Sequence, residues 1–200
     1  MSIGNFKVAS LIGMAVRLRG GALLRRFARR QEGAAAVEFA MVAAPFLGLM
    51  FAIMETALVF FAGQMLETAA ADSARLIMTG QAQMQGYTES TFKTAVCDRV
   101  HLLANCLGEI HLDVRSYPKF ADANIPKPID SEGNLKTSDF GYNPGGASQI
   151  TVVRVMYRWP VYVSLFGLSL SDLSGRKRLL IATVVFCNEP YTGTGPSSCS

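Results

Sequence analysis

The chain has 200 residues, half of them hydrophobic, and a formal charge of +4. The charge is unevenly placed: Lys7 and six arginines against Glu32 give residues 1–33 a charge of +6, which leaves −2 for the remainder. The body therefore carries no basic patch for nucleic acid. With only two histidines, His101 and His111, no Cys-x-x-Cys, and none of the G-x-S-x-G, H-E-x-x-H or P-loop patterns, the sequence offers no metal site, no cofactor site and no catalytic residue.

Residues 1–24 are moderately apolar but interrupted by Lys7, Arg17 and Arg19, and the clean run Val8–Val16 is too short to cross a bilayer. An unstructured leader is expected there, with Met14 as a later start; an amphipathic stretch on the cytoplasmic face is the alternative. A basic flank follows, Arg25, Arg26, Arg29 and Arg30, ending in Glu32-Gly33. From Ala34 to Phe61 the chain then has no Lys, Arg, Asp, Asn or Gln. Since about 20 helical residues cover the roughly 30 Å hydrocarbon core, this stretch is long enough to span a membrane. Positive charge before it places the N-terminus in the cytoplasm and the C-terminus outside. A cleaved secretory signal does not fit, because the apolar run exceeds the ~7–15 residues of a signal core. The first Ala-x-Ala triplet beyond the run is Ala69-Ala70-Ala71. An uncleaved signal anchor carrying a structural or adhesive ectodomain is the competing reading.

Two acids interrupt the run, Glu38 and Glu55. A charge inside a membrane is expensive and marks a functional position with a partner to be named. The spacing Gly33-x-x-x-x-Glu38-Phe39 after a basic segment resembles the processing site of type IV prepilins. That resemblance implies a peptidase cut between Gly33 and Ala34, after which the new amine of Ala34 pairs with Glu38 of a neighbouring subunit. Glu55 lies deeper; it marks either a heteromeric partner or a position lifted to the outer interface by a kinked or tilted span.

After Phe61 the helical pattern continues through AGQMLETAAADSARLIMTGQAQ, rich in good helix formers. Met65, Ala69, Ser73/Leu76 and Ile77 form a stripe, and Gly80 or Gly86 ends it. Including the span, one helix of about 50 residues, roughly 75 Å long, is expected. A second helix starts at Tyr87-Thr88, with Thr88 or Ser90 as N-cap and Phe92, Ala95, Val96, Val100 and Leu103 inward, and ends at 105–108. The period then changes to two. EIHLDVRSY reads as a half-buried strand, with Ile110, Leu112 and Val114 alternating with His111, Asp113 and Arg115. Residues 117–148, rich in proline and glycine, read as a long loop where partner contacts or mobility are both open. ITVVRVMY is a second strand, with Val153, Val155 and Tyr157 on one face and Arg154 and Arg158 on the other. Trp159 to Leu170 is too short to span a membrane and reads as a buried or membrane-surface connection. Arg176, Lys177 and Arg178 precede a last strand, LLIATVVF. The expected fold class is α+β: a long N-terminal transmembrane helix extending into a periplasmic domain with a second helix and a small antiparallel sheet of about three strands.

Four cysteines suit an oxidising compartment and allow three pairings. Cys97 and Cys106 are close in sequence, as are Cys187 and Cys199, so two local loops are expected.

The segments RRQEGAAAVEFAMVAAPFLGLMFAIMETALVFFAG and ATVVFCNEPY together resemble the TadE family of tight-adherence (Tad, Flp-type) pilus systems. The resemblance rests on the Gly33 motif, Glu55 within the span and the terminal motif Asn188-Glu189-Pro190-Tyr191. It implies a minor pseudopilin for assembly of a Tad pilus, supporting surface adhesion and biofilm formation. The implied partners are a prepilin peptidase, other pilins and pseudopilins, the Tad inner-membrane platform and membrane lipid, with no nucleic acid. Glu38, Phe39 and Glu55 would serve subunit assembly. The implied domain plan is a cytoplasmic leader 1–33, a span 34–61, a periplasmic domain 62–191 and a flexible tail 192–200. The protein would sit in the inner membrane as a single-pass chain and enter a surface pilus. One departure is Cys187, where relatives are expected to carry arginine; it suggests a disulfide to Cys199.

Overall fold

A computed structural model describes residues 31–100, 103–162 and 169–191, and the chain divides into two compact units, residues 1–50 and 51–200. The expected leader over 1–30 with Met14, His101, residues 163–168 of the apolar connection, and the tail 192–200 with Cys199 lie outside the described residues.

In the first unit the described residues are helical throughout and open helix α1, Gln31–Met78, 48 residues long and within two residues of the expected length. Pro45 lies inside the helix, as a membrane helix tolerates. No residue from Ala34 to Met50 is buried, and large apolar side chains such as Phe39, Met41, Val42, Phe46 and Leu49 are exposed.

The second unit combines the rest of α1 with three shorter helices and one sheet. These are α2, Gln81–Met84; α3, Glu89–Cys97; α4, Cys106–Glu109; β1, Ile110–Tyr117; β2, Ile150–Pro160; and β3, Lys177–Cys187. The sheet is antiparallel in the order β1-β2-β3. Within this unit α1 has two unlike faces. Glu55, Val59, Ala62, Leu66, Ala69, Ser73 and Ile77, three or four residues apart, are buried. Phe51, Met54, Leu58 and Phe61 are exposed. The buried stripe differs from the expected one by one position. Leu66 rather than Met65 lies inside, joined by Ala70 and Ala74, whose small side chains let the helix approach the core closely.

Helix α1 ends where expected. Gly80 adopts φ +77°, its amide bonds the carbonyl of Ile77 at 3.0 Å, and the left-handed turn stops the helix. Thr88 caps α3 by accepting the amide of Thr91 at 3.3 Å. Helix α3 stops at Cys97, short of the expected Asn105. Cys97 is disulfide-bonded to Cys106, and Asn105 between them takes a left-handed φ of 51°, which no helix interior accepts. Val100 and Leu103 are buried all the same; for Val100 the reason is the pair of tight turns from Val96 to Val100, which keep the chain close to its helical path.

One sheet face carries Ile110, Leu112, Val114, Val153, Val155, Tyr157, Leu180 and Ala182, which share the main core with α1 and α3. The register sets Leu112 beside Val155 and Val155 beside Ala182, so the apolar positions form rows across all three strands. The opposite face was expected to be solvated, yet Asp113, Arg154 and Met156 are buried on it. The long loop after β1 covers them. Arg154 pairs with Asp113 and donates to the carbonyl of Pro126 at 2.8 Å, and Asp113 accepts the amide of Gly141 at 3.2 Å. Burial opposes ionisation of Asp113, but the bonds from Arg115 and Arg154 prevail and hold its carboxyl below the usual value. The loop also pairs along the outer edge of β1: the Val114 amide bonds the Gly141 carbonyl at 2.7 Å, and the Asn143 amide bonds the Val114 carbonyl at 2.8 Å. That coverage protects an edge that would otherwise present free backbone groups. At the other end of the sheet, Glu109 pairs with Arg158 at 2.8 Å and Lys177 at 2.9 Å.

Candidate functional site

The first group of interest lies on the bare part of α1. Gly33 and Ala34 sit in its opening turns, and Ala34, Glu38 and Phe39 are exposed. One turn to either side of Glu38 the helix carries Ala34, Ala35, Met41 and Val42, none with a side-chain donor. A carboxylate so placed finds no partner along its own helix. An apolar surface on every side is what lipid or like helices solvate, not water. Among the described residues, α1 is the one helix long and apolar enough to cross a membrane.

Glu55 is placed differently. It falls on the buried stripe of α1 and is only 6% exposed. Its Oε1 accepts the backbone amide of Tyr162 at 2.5 Å. Pro160 closes β2, Val161 turns inward with its amide on the carbonyl of Arg176 at 2.9 Å, and Tyr162 is thereby delivered to Glu55. The bond supplies a reason for a buried acid within an apolar stretch: it accepts from a backbone donor that has left the sheet. Sequence reasoning could not have found this, since the partner is a main-chain group 107 positions away.

The terminal motif forms a clasp. Asn188 is fully buried; its Nδ2 donates to the carbonyls of Pro144 and Gly146, each at 2.9 Å, and its Oδ1 accepts the Thr151 hydroxyl at 3.2 Å. The amide of Glu189 donates to the carbonyl of Met78 at 2.8 Å, satisfying one of the free carbonyls at the end of α1. The ring of Tyr191 lies against Gly80 so closely that a Cβ there would overlap it. Gln83 completes the knot, its Nε2 donating to the carbonyls of Ile77 at 3.2 Å and Pro144 at 3.1 Å. The motif thus ties the end of α1 to the end of β3 and to the loop before β2. Pro190 follows as a residue that continues neither strand nor helix. Cys187, immediately before it, is disulfide-bonded, and its proposed partner Cys199 lies outside the described residues.

These groups are not one pocket. Gly33, Ala34, Glu38 and Phe39 belong to the first unit, whereas Glu55, the Cys97–Cys106 disulfide and the clasp belong to the second. Their chemistry is that of anchoring and packing.

Residues 33–75 match the family model described as TadE-like protein, the family that the sequence resembles. No curated protein matches the chain, and no solved structure does. The matched segment runs from Gly33 along α1 to Arg75, 43 of the 200 residues. The clasp lies beyond it.

Proposed function

We propose that this chain is a minor pseudopilin used in assembling a Tad pilus, and so in surface adhesion and biofilm formation. The observation that carries the reading is the TadE-like segment 33–75, which begins at the Gly33 motif and opens on a bare apolar stretch of helix that offers Glu38 no donor. In this reading the basic leader 1–33 stays in the cytoplasm until a prepilin peptidase cuts between Gly33 and Ala34. Residues 34–61 anchor the chain in the inner membrane, and residues 62–191 fold in the periplasm ahead of the tail 192–200. Leaving the bilayer for a bundle of like helices strips Glu38 of its remaining water, so it must be paired or neutralised. The freed amine of Ala34 on a neighbouring subunit is the partner, with Phe39 packing beside it. Other pilins and the inner-membrane platform supply the remaining contacts, and no cofactor or catalytic residue is involved. The clasp at Asn188–Tyr191 suits the same task, because it fastens the folded domain to the helix by which the subunit is moved.

The test is Glu38→Ala, scored for leader removal and for recovery in sheared filaments. Loss of a pair worth even ~1.4 kcal/mol lowers incorporation about tenfold. Processing stays intact, since the cut lies one helical turn away. Incorporation equal to the parent would refute the pairing.

A further inference from the structure

We infer that the end of β2 is a foot resting in the headgroup layer of the membrane that α1 spans, with the Tyr162 ring as its sole and the Glu55 carboxylate as the group that holds it there. The inference rests on the reading of α1 as a membrane span.

The first support is backbone chemistry. Residues 161 and 162 are neither helix nor strand, and irregular backbone exposed to hydrocarbon would leave donors unsatisfied at several kcal/mol each. Here the amide of Tyr162 is satisfied by Glu55 at 2.5 Å and that of Val161 by Arg176 at 2.9 Å. Both amides that leave the sheet are therefore satisfied without water, as a position against lipid requires.

The second support is side-chain placement. Tyr162 is 77% exposed, whereas its neighbour Val161 is buried, so the large amphipathic ring points away from the domain. A tyrosine with an apolar ring and a polar tip is enriched at the membrane–water boundary. On the exposed face of α1 in the same unit stand Phe51, Met54, Leu58 and Phe61. The apolar surface of the span thus continues past Glu55 on one side of the helix while the domain covers the other side. At ~1.5 Å per residue, Leu58 and Phe61 lie only ~5 Å and ~9 Å beyond Glu55 along the helix.

The third support is length. From Ala34 to Met54 no residue is buried, and those 21 positions of α1 rise roughly 30 Å, the thickness of the hydrocarbon core. Glu55 is the next residue. Counting along the helix and following the Tyr162 contact lead to the same level.

The chain has a single tryptophan, Trp159, and moving it makes the reporter. The full chain carrying Trp159→Phe and Tyr162→Trp is reconstituted into vesicles of phosphatidylethanolamine and phosphatidylglycerol. Fluorescence is then compared between lipids brominated near the headgroup and lipids brominated near the chain ends. Tyr162 is exposed, so its exchange adds a ring outside the core, and Trp159→Phe keeps an aromatic ring beside Tyr157. The expected result is strong quenching by the headgroup-side bromines, at least about twofold more than by the chain-end bromines. Adding Glu55→Ala removes the acceptor of the Tyr162 amide and lowers the headgroup-side quenching about twofold or more. A chain that floats with the vesicles but is quenched by neither lipid would overturn the foot and leave the span intact. A chain that does not float would overturn both.

Discussion

Asn188 offers the sharpest mutational test of the clasp. Truncation in Asn188→Ala removes three hydrogen bonds from a fully buried side chain, two to carbonyls at 2.9 Å and one from the Thr151 hydroxyl at 3.2 Å. At ~1 kcal/mol net for each, the direct loss is about 3 kcal/mol. The carbonyl of Pro144 keeps Gln83 at 3.1 Å, and the one Thr151 proton, no longer held by Asn188, turns to it at 3.3 Å, so it is not left unsatisfied. The carbonyl of Gly146 retains only the Gln149 amide at 3.4 Å, a long bond. With the Thr151 bond redirected rather than lost, a total of about 2–3 kcal/mol follows, a large share of the stability of a domain this size. The assay is denaturant unfolding of the detergent-solubilised chain, followed by the emission of Trp159. Asn188→Asp sharpens it. That variant keeps the acceptor for Thr151 but faces a carboxylate toward two carbonyl oxygens. Its carboxyl pKa in the fold rises above the unfolded value, so its deficit against the parent is small in acid and grows as pH rises from ~4 toward neutrality. An Asn188→Ala chain within ~0.5 kcal/mol of the parent, or an Asn188→Asp deficit that ignores pH, would refute the clasp.

Gly80→Ala places a Cβ against the Tyr191 ring at φ +77° and costs ~1–2 kcal/mol; combined with Tyr191→Ala it costs less than the two single changes added, and strict additivity in that cycle would contradict the contact. Among the described residues, three groups packed in the fold contribute to the response to acid. Burial and then the Arg158 charge hold His111 below its usual 6.5; for Glu109 burial is outweighed by Lys177 and Arg158, and for Asp113 by Arg115 and Arg154, so both carboxyls lie below their usual values. With all three depressed in the fold, the unfolded chain takes up protons first. Stability is full above the unfolded value of His111 and falls as pH drops, gently below 6.5 and steeply below 4.5. Thermal melting of the solubilised chain across that range checks the sign, and a melting point that rises in acid would contradict it.

What the sequence made legible follows from what side-chain patterns encode. The three-and-four spacing of Ala69, Ser73 and Ile77 and the alternation in Ile110-His111-Leu112 read directly as helix and strand, and both form. The Cys97–Cys106 loop was legible as a short separation of nine residues. Alternation also told which face Asp113 and Arg154 occupy, but not that a loop would bury them. The groups that bind the loop there, the carbonyl of Pro126 and the amide of Gly141, are backbone and leave no trace in residue type. The same holds for Glu55, which anyone would mark as anomalous, yet whose partner is a main-chain donor on a distant strand end. The role of Asn188 was hidden for the same reason: two of its three partners are carbonyls. The early end of α3 at Cys97 was hidden differently. Val100 keeps its inward position through tight turns, so the helical stripe outlasts the helix.

The most direct test of the account is the mass of the N-terminus, measured on protein from isolated membranes and from sheared surface filaments. A processed and incorporated pseudopilin begins at Ala34 in both fractions. A chain that keeps residues 1–33 in both would contradict the account and leave a plain anchored ectodomain.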